Sequence, residues 1–402
     1  MINGQKTAYF FLVLLILVLA VSPAFALGKD NRSLLLIGIM SLSPVLIIAF
    51  NKYHKTDLWI VVFMFSIILI PLLNQPRSMR WSTVLYSCMF CLCFMAYTRL
   101  LARSKLNPIK YLKILKVLIL AYAITLLIQQ FCVLFGLPIF NVSNYNETTP
   151  WKLNGLAAEP SHSARIVTLL MYSYIVIKEI LLNGNYNLKK EFKNDIWIWI
   201  GFIWTMFTMG SGSAFLFLPL ILFKTLKRKN IFPLILITIS VFILINFLGI
   251  DQFNRTFNVV NAVITFDVDT IIAADHSASL RIIPFFVLIT MLSLSTLDGW
   301  FGHGIDFVSS FMSDIIPGVT EGFSGGGLLQ LFMEYGFVCF IIFTFGSILH
   351  LIKQNDRLSI VFWLLLILLN GMNSQILWLC SVLLFTNKYF LKFKKNYFNE
   401  NP

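Results

Sequence analysis

The sequence predicts an all-α polytopic membrane protein with about 12 transmembrane helices, and three observations predict it. Of its 402 residues, 58% are hydrophobic and only 12% are charged, about half the charged share of a soluble globular chain. Apolar runs close to the roughly twenty residues a helix needs to cross a bilayer recur along the whole length. The apolar–polar alternation of a membrane β-barrel strand is absent, which removes the other way of spanning lipid.

The runs lie at 8–27, 33–50, 58–73, 82–98, 115–136, 164–182, 196–209, 211–223, 231–249, 328–349, 358–370 and 375–387. The first follows MINGQK and ends near Ala24-Phe25-Ala26, which resembles a signal-peptidase site. It is longer than the apolar core of a signal peptide, so an uncleaved span is expected. The fourth carries CMFCLC. Cys88, Cys91 and Cys93 have no His or carboxylate beside them, and with Cys132, Cys339 and Cys380 they read as small buried apolar residues. GSGSA at 210–214 joins two short runs as a tight hairpin.

A further stretch, RIIPFFVLITMLSLSTL at 281–297, has two readings. If it crosses, 358–387 is a single span. If it lies along the membrane surface, 358–387 folds as a hairpin about NGMNSQ, which keeps Asn370 to Gln375 out of the bilayer centre. The second arrangement is expected. With the amino terminus cytoplasmic, it puts 23 of the 31 Lys and Arg on the cytoplasmic side, the bias that orients membrane proteins, and makes both termini cytoplasmic. The net charge of +13 is thus an orientation signal; no basic face interleaved with aromatics suggests nucleic acid. The chain reads as one integral membrane domain, 1–402, with two long outer loops at about 137–163 and 250–327. Its halves do not match as repeats, which speaks against a secondary transporter.

Ionisable residues are scarce inside the runs, Glu334 being the main exception, so no ion pathway is drawn through them. They collect in the two outer loops, and 8 of the 18 acidic residues fall between 250 and 327. In GLAAEPSHSAR (155–165), Pro160 suits the first turn of a helix. From there Glu159, His162 and Arg165 follow one another at i,i+3 spacing, along one face. The second loop carries Arg255, Arg281 at the start of an apolar helix, and Gly302-His303-Gly304 in a turn after it. Glycines around a histidine allow a ligand to approach the backbone. GFSGGG at 322–327 reads as a lid or a linker. DVD at 267–269 is too short and common a pattern to carry a metal site.

These residues resemble a known family. GLAAEPSHSAR at the start of a span is similar to the signature of O-antigen and capsular polysaccharide polymerases (Wzy type). SASLR before an apolar helix, GHGIDF after it, and GGGLLQLFMEYGFV resemble the second-loop and closing motifs of the wider O-antigen polymerase and ligase superfamily. The resemblance implies a multi-pass protein of the bacterial inner membrane, with periplasmic outer loops. It implies a glycosyltransferase that takes glycan from undecaprenyl pyrophosphate, without metal, cofactor or nucleotide sugar, and builds O-antigen, capsular polysaccharide or exopolysaccharide.

Superfamily ligases carry a histidine where this chain has Gly325, which favours polymerase over ligase. A lipid-linked oligosaccharide flippase is the alternative from another class; it would need a charged cavity within the spans. The implied partners are the lipid-linked glycan, the bilayer, a chain-length regulator and a flippase. The implied catalytic residues are Glu159, Arg165, Arg281 and His303, with Arg255, His162, Trp151 and Trp300 binding substrate. Either Glu159 or His303 would take the proton of the attacking hydroxyl.

Overall fold

The computed structural model describes residues 2–399 apart from 22–33, 50–52, 76–78, 105, 142–144, 146, 148, 185, 187, 226–250, 266, 320–324, 354–355 and 369. Among the described residues, every regular element is a helix, which satisfies its own peptide groups where water is absent. The apolar runs become α1 (Ile2–Val21), α2 (Leu34–Ala49), α3 (Lys55–Asn74), α4 (Trp81–Arg103), α5 (Pro108–Phe135) and α6 (Pro160–Leu181). A short α7 (Leu188–Asn194) precedes α8 (Ile196–Thr208) and α9 (Gly212–Thr225). The run at 231–249 and the Ala24-Phe25-Ala26 site lie outside the described residues.

Four of the described helices are long and apolar enough to cross a membrane: α3, α4, α5 and the helix at Leu328–Leu351. Shorter apolar helices accompany them. Local signals start and stop these elements. His54 and Asp57 cap α3 reciprocally. Asn107 accepts from the Lys110 N–H ahead of Pro108 in α5, which ends at Gly136 in the left-handed region.

The stretch 251–313, expected as an outer loop, is itself mostly helical. It forms α10 (Asp251–Thr265), α11 (Val268–Ala274), α12 (His276–Thr290), α13 (Leu297–Phe301) and α14 (Phe307–Ser313). Its apolar residues, among them Ile271, Ile283, Leu288, Val308 and Met312, form a core with Leu329, Phe332 and Met333 of α15 (Leu328–Leu351). The apolar helix there stops at Thr290, so its 15 residues extend about 22 Å, less than the bilayer core.

After α16 (Arg357–Phe362), the chain continues as a π turn at Trp363–Leu368, breaks, and resumes as α17 (Gln375–Asn399). The stretch 358–387 is therefore not one continuous helix, as the hairpin about NGMNSQ required. Its polar side chains have partners: Asn373 accepts from Ser87 at 2.6 Å, and Gln375 donates to the Leu19 and Ala20 carbonyls at 3.2 Å each.

The chain forms two compact units. The first takes in residues 1–20, 36–105 and 261–385. Here α15 packs on α3 and α13, and α3 packs on α4. Trp59, Phe63, Phe94 and Phe343 form an aromatic seam with centroid separations from 5.0 to 6.3 Å. Gly346 lets the Trp59 indole lie against α15, donating to the Ile342 carbonyl at 3.0 Å. At Gly336, α15 bends with φ 82°, and Trp300 crosses so closely that a Cβ would lie 2.2 Å from its carbonyl oxygen.

The second unit takes in residues 21–35, 106–260 and 386–402. Its centre is α6, against which α5, α8 and α9 pack. Every residue from Ile166 to Ile177 is buried, the pattern of a core helix with no polar face. Where α6 ends, Lys178 meets Glu191 at 2.5 Å and Asp195 at 2.8 Å. Asp195 also takes hydrogen bonds from Lys116 and, at 2.6 Å, from the Tyr174 hydroxyl. Burial pushes the Asp195 carboxyl up, but the bonds from Lys116, Lys178 and Tyr174 outweigh it and hold the group down at about 2.

Two outcomes follow. Gly336→Ala meets both a left-handed backbone and the Trp300 carbonyl, and should cost about 3 kcal/mol, read as a lower unfolding midpoint in detergent. For Asp195, the folded carboxyl titrates below its ordinary 3.8. Its contribution is therefore complete above that value and is lost as pH falls through about 2. Asp195→Asn should unfold more readily at neutral pH and lose that acid-limb dependence; an unchanged pH profile of unfolding contradicts the assignment.

Candidate functional site

The first candidate group opens α6, at the opposite end from Lys178 and Asp195. The preceding segment is held by amides. Gln129 of α5 donates to the Phe140 carbonyl at 3.0 Å and accepts from the Gly155 N–H at 2.9 Å. Asn141, itself in the left-handed region, donates to the carbonyls of Gly155 and Ala157 at 2.9 and 2.8 Å. Ser163 donates to the Asn154 carbonyl. Gly155 has φ 59°, and the Tyr122 ring lies 3.3 Å from where its Cβ would be. These contacts deliver Glu159 to the N-cap in extended geometry with Pro160 in the first turn, as the sequence predicts.

The Glu159 carbonyl accepts from the N–H groups of His162 and Ser163 at 3.1 and 3.0 Å, and its carboxylate accepts from Ser161 at 3.0 Å. Glu159, His162 and Arg165 are all half-buried, whereas Ser163, Ala164 and Ile166 are buried. The three ionisable groups thus lie on the partly exposed side of the first two turns. They sit on the first residues of a helix locked in the core, so their backbone has little freedom. A helix N-terminus and a guanidinium together favour an anion.

GSGSA also belongs here, which sequence reading missed. Ser213 donates to the Ser161 carbonyl at 3.3 Å and pairs with Ser211 at 2.8 Å. The only sequence signal was a Ser- and Gly-rich turn between two short apolar runs. Trp151 lies upstream of α6 and is exposed.

The second candidate group is in the other unit, around Gly302-His303-Gly304 after α13. The His303 ring is partly exposed, stacks on Phe307 with centroids 4.4 Å apart, and places Nδ1 3.9 Å from the Asp298 carboxylate. Trp300 is exposed on one side, and its indole donates to the Leu294 carbonyl at 3.0 Å. Arg80 pairs with Asp306 at 3.3 Å. Glu334 is buried one turn into α15 and accepts from Gln330 at 3.1 Å.

Arg281 does not open α12: the helix begins at His276, and Arg281 stands in its second turn. The extra turn comes from His276 and Ser279, with Ser279 donating to the His276 carbonyl at 2.7 Å. The side chains of Arg281 and of Arg255 in α10 lie outside the described part of the structure, as do Glu321 and residues 322–324 of GFSGGG. The DVD segment caps a helix: Asp267 accepts from the Thr270 N–H at 3.2 Å to start α11. All six cysteines are free thiols, and five are buried. Among the described residues, no group of three or more His, Cys, Asp or Glu is placed to hold a metal ion.

The structure thus sets Glu159, His162 and Arg165 at the start of α6, and separately Trp300 and His303 at the end of α13, each ring on partners of its own. Trp151 and Arg255 belong to the unit of the first group, Arg281 to that of the second. No protein-family model matches the chain, and neither a curated protein nor a solved structure is significantly similar to it.

Proposed function

We propose that the protein is a polysaccharide polymerase of the O-antigen type. In this reading it is a bacterial inner-membrane glycosyltransferase of about 12 spans, both termini cytoplasmic. It joins undecaprenyl-pyrophosphate-linked oligosaccharide repeat units at the periplasmic face. The observation that carries the reading is the start of α6, where a carboxylate, an imidazole and a guanidinium share the accessible side of a helix N-terminus. That is the equipment for deprotonating a hydroxyl and stabilising a departing pyrophosphate.

The placement of charge supports the orientation. In the second unit, Lys116, Lys178 and Lys224 gather at the end of the helices away from Glu159. In the first, Arg99 pairs with Asp57 and Lys353 with Asp356, at the ends of α3 and α15 away from His303. In each unit the candidate residues lie at the less cationic end, the outer end under the positive-inside bias.

In the reaction, the acceptor oxygen bonds to the anomeric carbon of the growing glycan. The bond from that carbon to pyrophosphate breaks, and the electron pair leaves with the pyrophosphate. Arg165 neutralises the charge developing on the phosphate oxygens, where its planar fork suits a bidentate contact. Arg281 is assigned the same task, with Arg255 as a further cation. Glu159 or His303 takes the hydroxyl proton. His162 orients Glu159 or contacts the sugar, and Trp151 and Trp300 offer faces for sugar rings. The remaining outer carboxylates hydrogen-bond sugar hydroxyls.

Deleting the protein in its host should remove long surface glycan while leaving a single attached repeat unit. Loss of all attached glycan, with lipid-linked polymer accumulating, would indicate a ligase instead. Arg165→Ala and Arg281→Ala should each abolish long chains at normal membrane levels of protein; normal chain lengths in both would remove the assignment.

A further inference from the structure

The turn from Phe301 to Ile305 leaves helical geometry yet has its backbone bound on every side. Gly302 and Gly304 take φ of +80° and +104°. The N–H groups of Gly302, His303 and Gly304 donate to the carbonyls of Asp298, Met333 and Glu334 at 2.7, 2.7 and 3.2 Å. From the end of α3, the Asn74 amide donates to the Phe301 and Gly302 carbonyls at 2.6 and 3.2 Å. Gln75 works in both directions, donating to the His303 carbonyl at 3.4 Å and accepting from the Ile305 N–H at 3.1 Å.

The absent side chains matter as much as the bonds. A Cβ on Gly302 would lie 2.3 Å from the Glu334 carbonyl, and one on Gly304 would lie 1.9 Å from the Gln75 amide nitrogen. Amid this closed net the imidazole of His303 stays outside it, laid on Phe307 beside Asp298. An unbroken helix would satisfy the same peptide groups without amides or glycines. What the turn adds is a histidine whose backbone is fixed from both sides while its ring faces outward, the preorganisation an acid–base group requires.

We propose that Asn74 and Gln75 are positioning residues for His303, their carboxamides setting the backbone of the turn so that the imidazole keeps one orientation. The proposal rests on the polymerase reading for what His303 does, but the positioning is measurable without it. The chain has five histidines, so histidine-selective isotope labelling of the full-length protein in detergent gives a short set of ring signals, with that of His303 identified by its loss in His303→Ala.

In Asn74→Ala and Gln75→Ala the His303 signal should shift and broaden or double while the other four stay in place, and glycan extension should slow about 10- to 100-fold. Gln75→Glu keeps the acceptor for Ile305 and removes the donor to His303; it should give a smaller shift and serves if the alanine variants do not fold. Gly304→Ala, which drives the Gln75 amide away, should reproduce Gln75→Ala. A single unshifted His303 signal in folded Asn74 and Gln75 variants overturns the positioning. Normal glycan extension in His303→Ala instead removes the chemistry assigned to His303, while the ring signals still decide the positioning.

Discussion

Where the backbone leaves helical geometry, its peptide groups find partners within the protein, and here carboxamide side chains supply them. Gln129 and Asn141 bind the segment before α6. Asn74 and Gln75 bind the turn after α13. Gln375 binds the carbonyls at the end of α1. A carboxamide offers both donor and acceptor without a charge to desolvate, so it can close a break in a helix where Lys or Glu would be costly. Both candidate groups stand on such breaks, which is how irregular backbone comes to be fixed next to otherwise regular helices.

Charge follows the same logic at the other ends of the helices. Ion pairs there are multiply bonded: Asp195 joins two lysines and a tyrosine, and Asp57 takes the Arg99 guanidinium at 2.9 Å and the His54 N–H at 2.9 Å. A charge withdrawn from water is costly unless it is paired, and each of these carboxylates takes more than one bond. Each unit thus has one end cross-linked by lysine or arginine pairs and another where its candidate residues, Glu159, His162 and Arg165 or Trp300 and His303, are partly exposed.

The sequence made the helices legible because span length and apolarity are set by the bilayer rather than by long-range packing. The start of α6 was legible for a similar reason: Glu159, Pro160, His162 and Arg165 fall within the first two turns, and helix periodicity alone aligns them. What was hidden depended on residues far apart in the chain. Asn74 and Gln75 lie more than 200 positions from the turn they hold, and nothing in LLNQP marks them as clamps. Apart from the apolar helix at 281, the helices of 251–313 were missed because they bury their apolar residues on α15, whose contribution cannot be read from the segment itself. Ser211 and Ser213 were legible as a turn, but not as neighbours of Ser161.

On the proposed function, this chain by itself extends lipid-linked repeat units. The most direct measurement is to reconstitute the purified protein in liposomes with undecaprenyl-pyrophosphate-linked repeat units as the only glycan, add a chelator, and resolve the products by size. A ladder of lipid-linked oligomers spaced by one repeat unit, formed without nucleotide sugar or added metal, is the result predicted. Recovery of unextended repeat units alone, from protein that is folded and membrane-inserted, would contradict it.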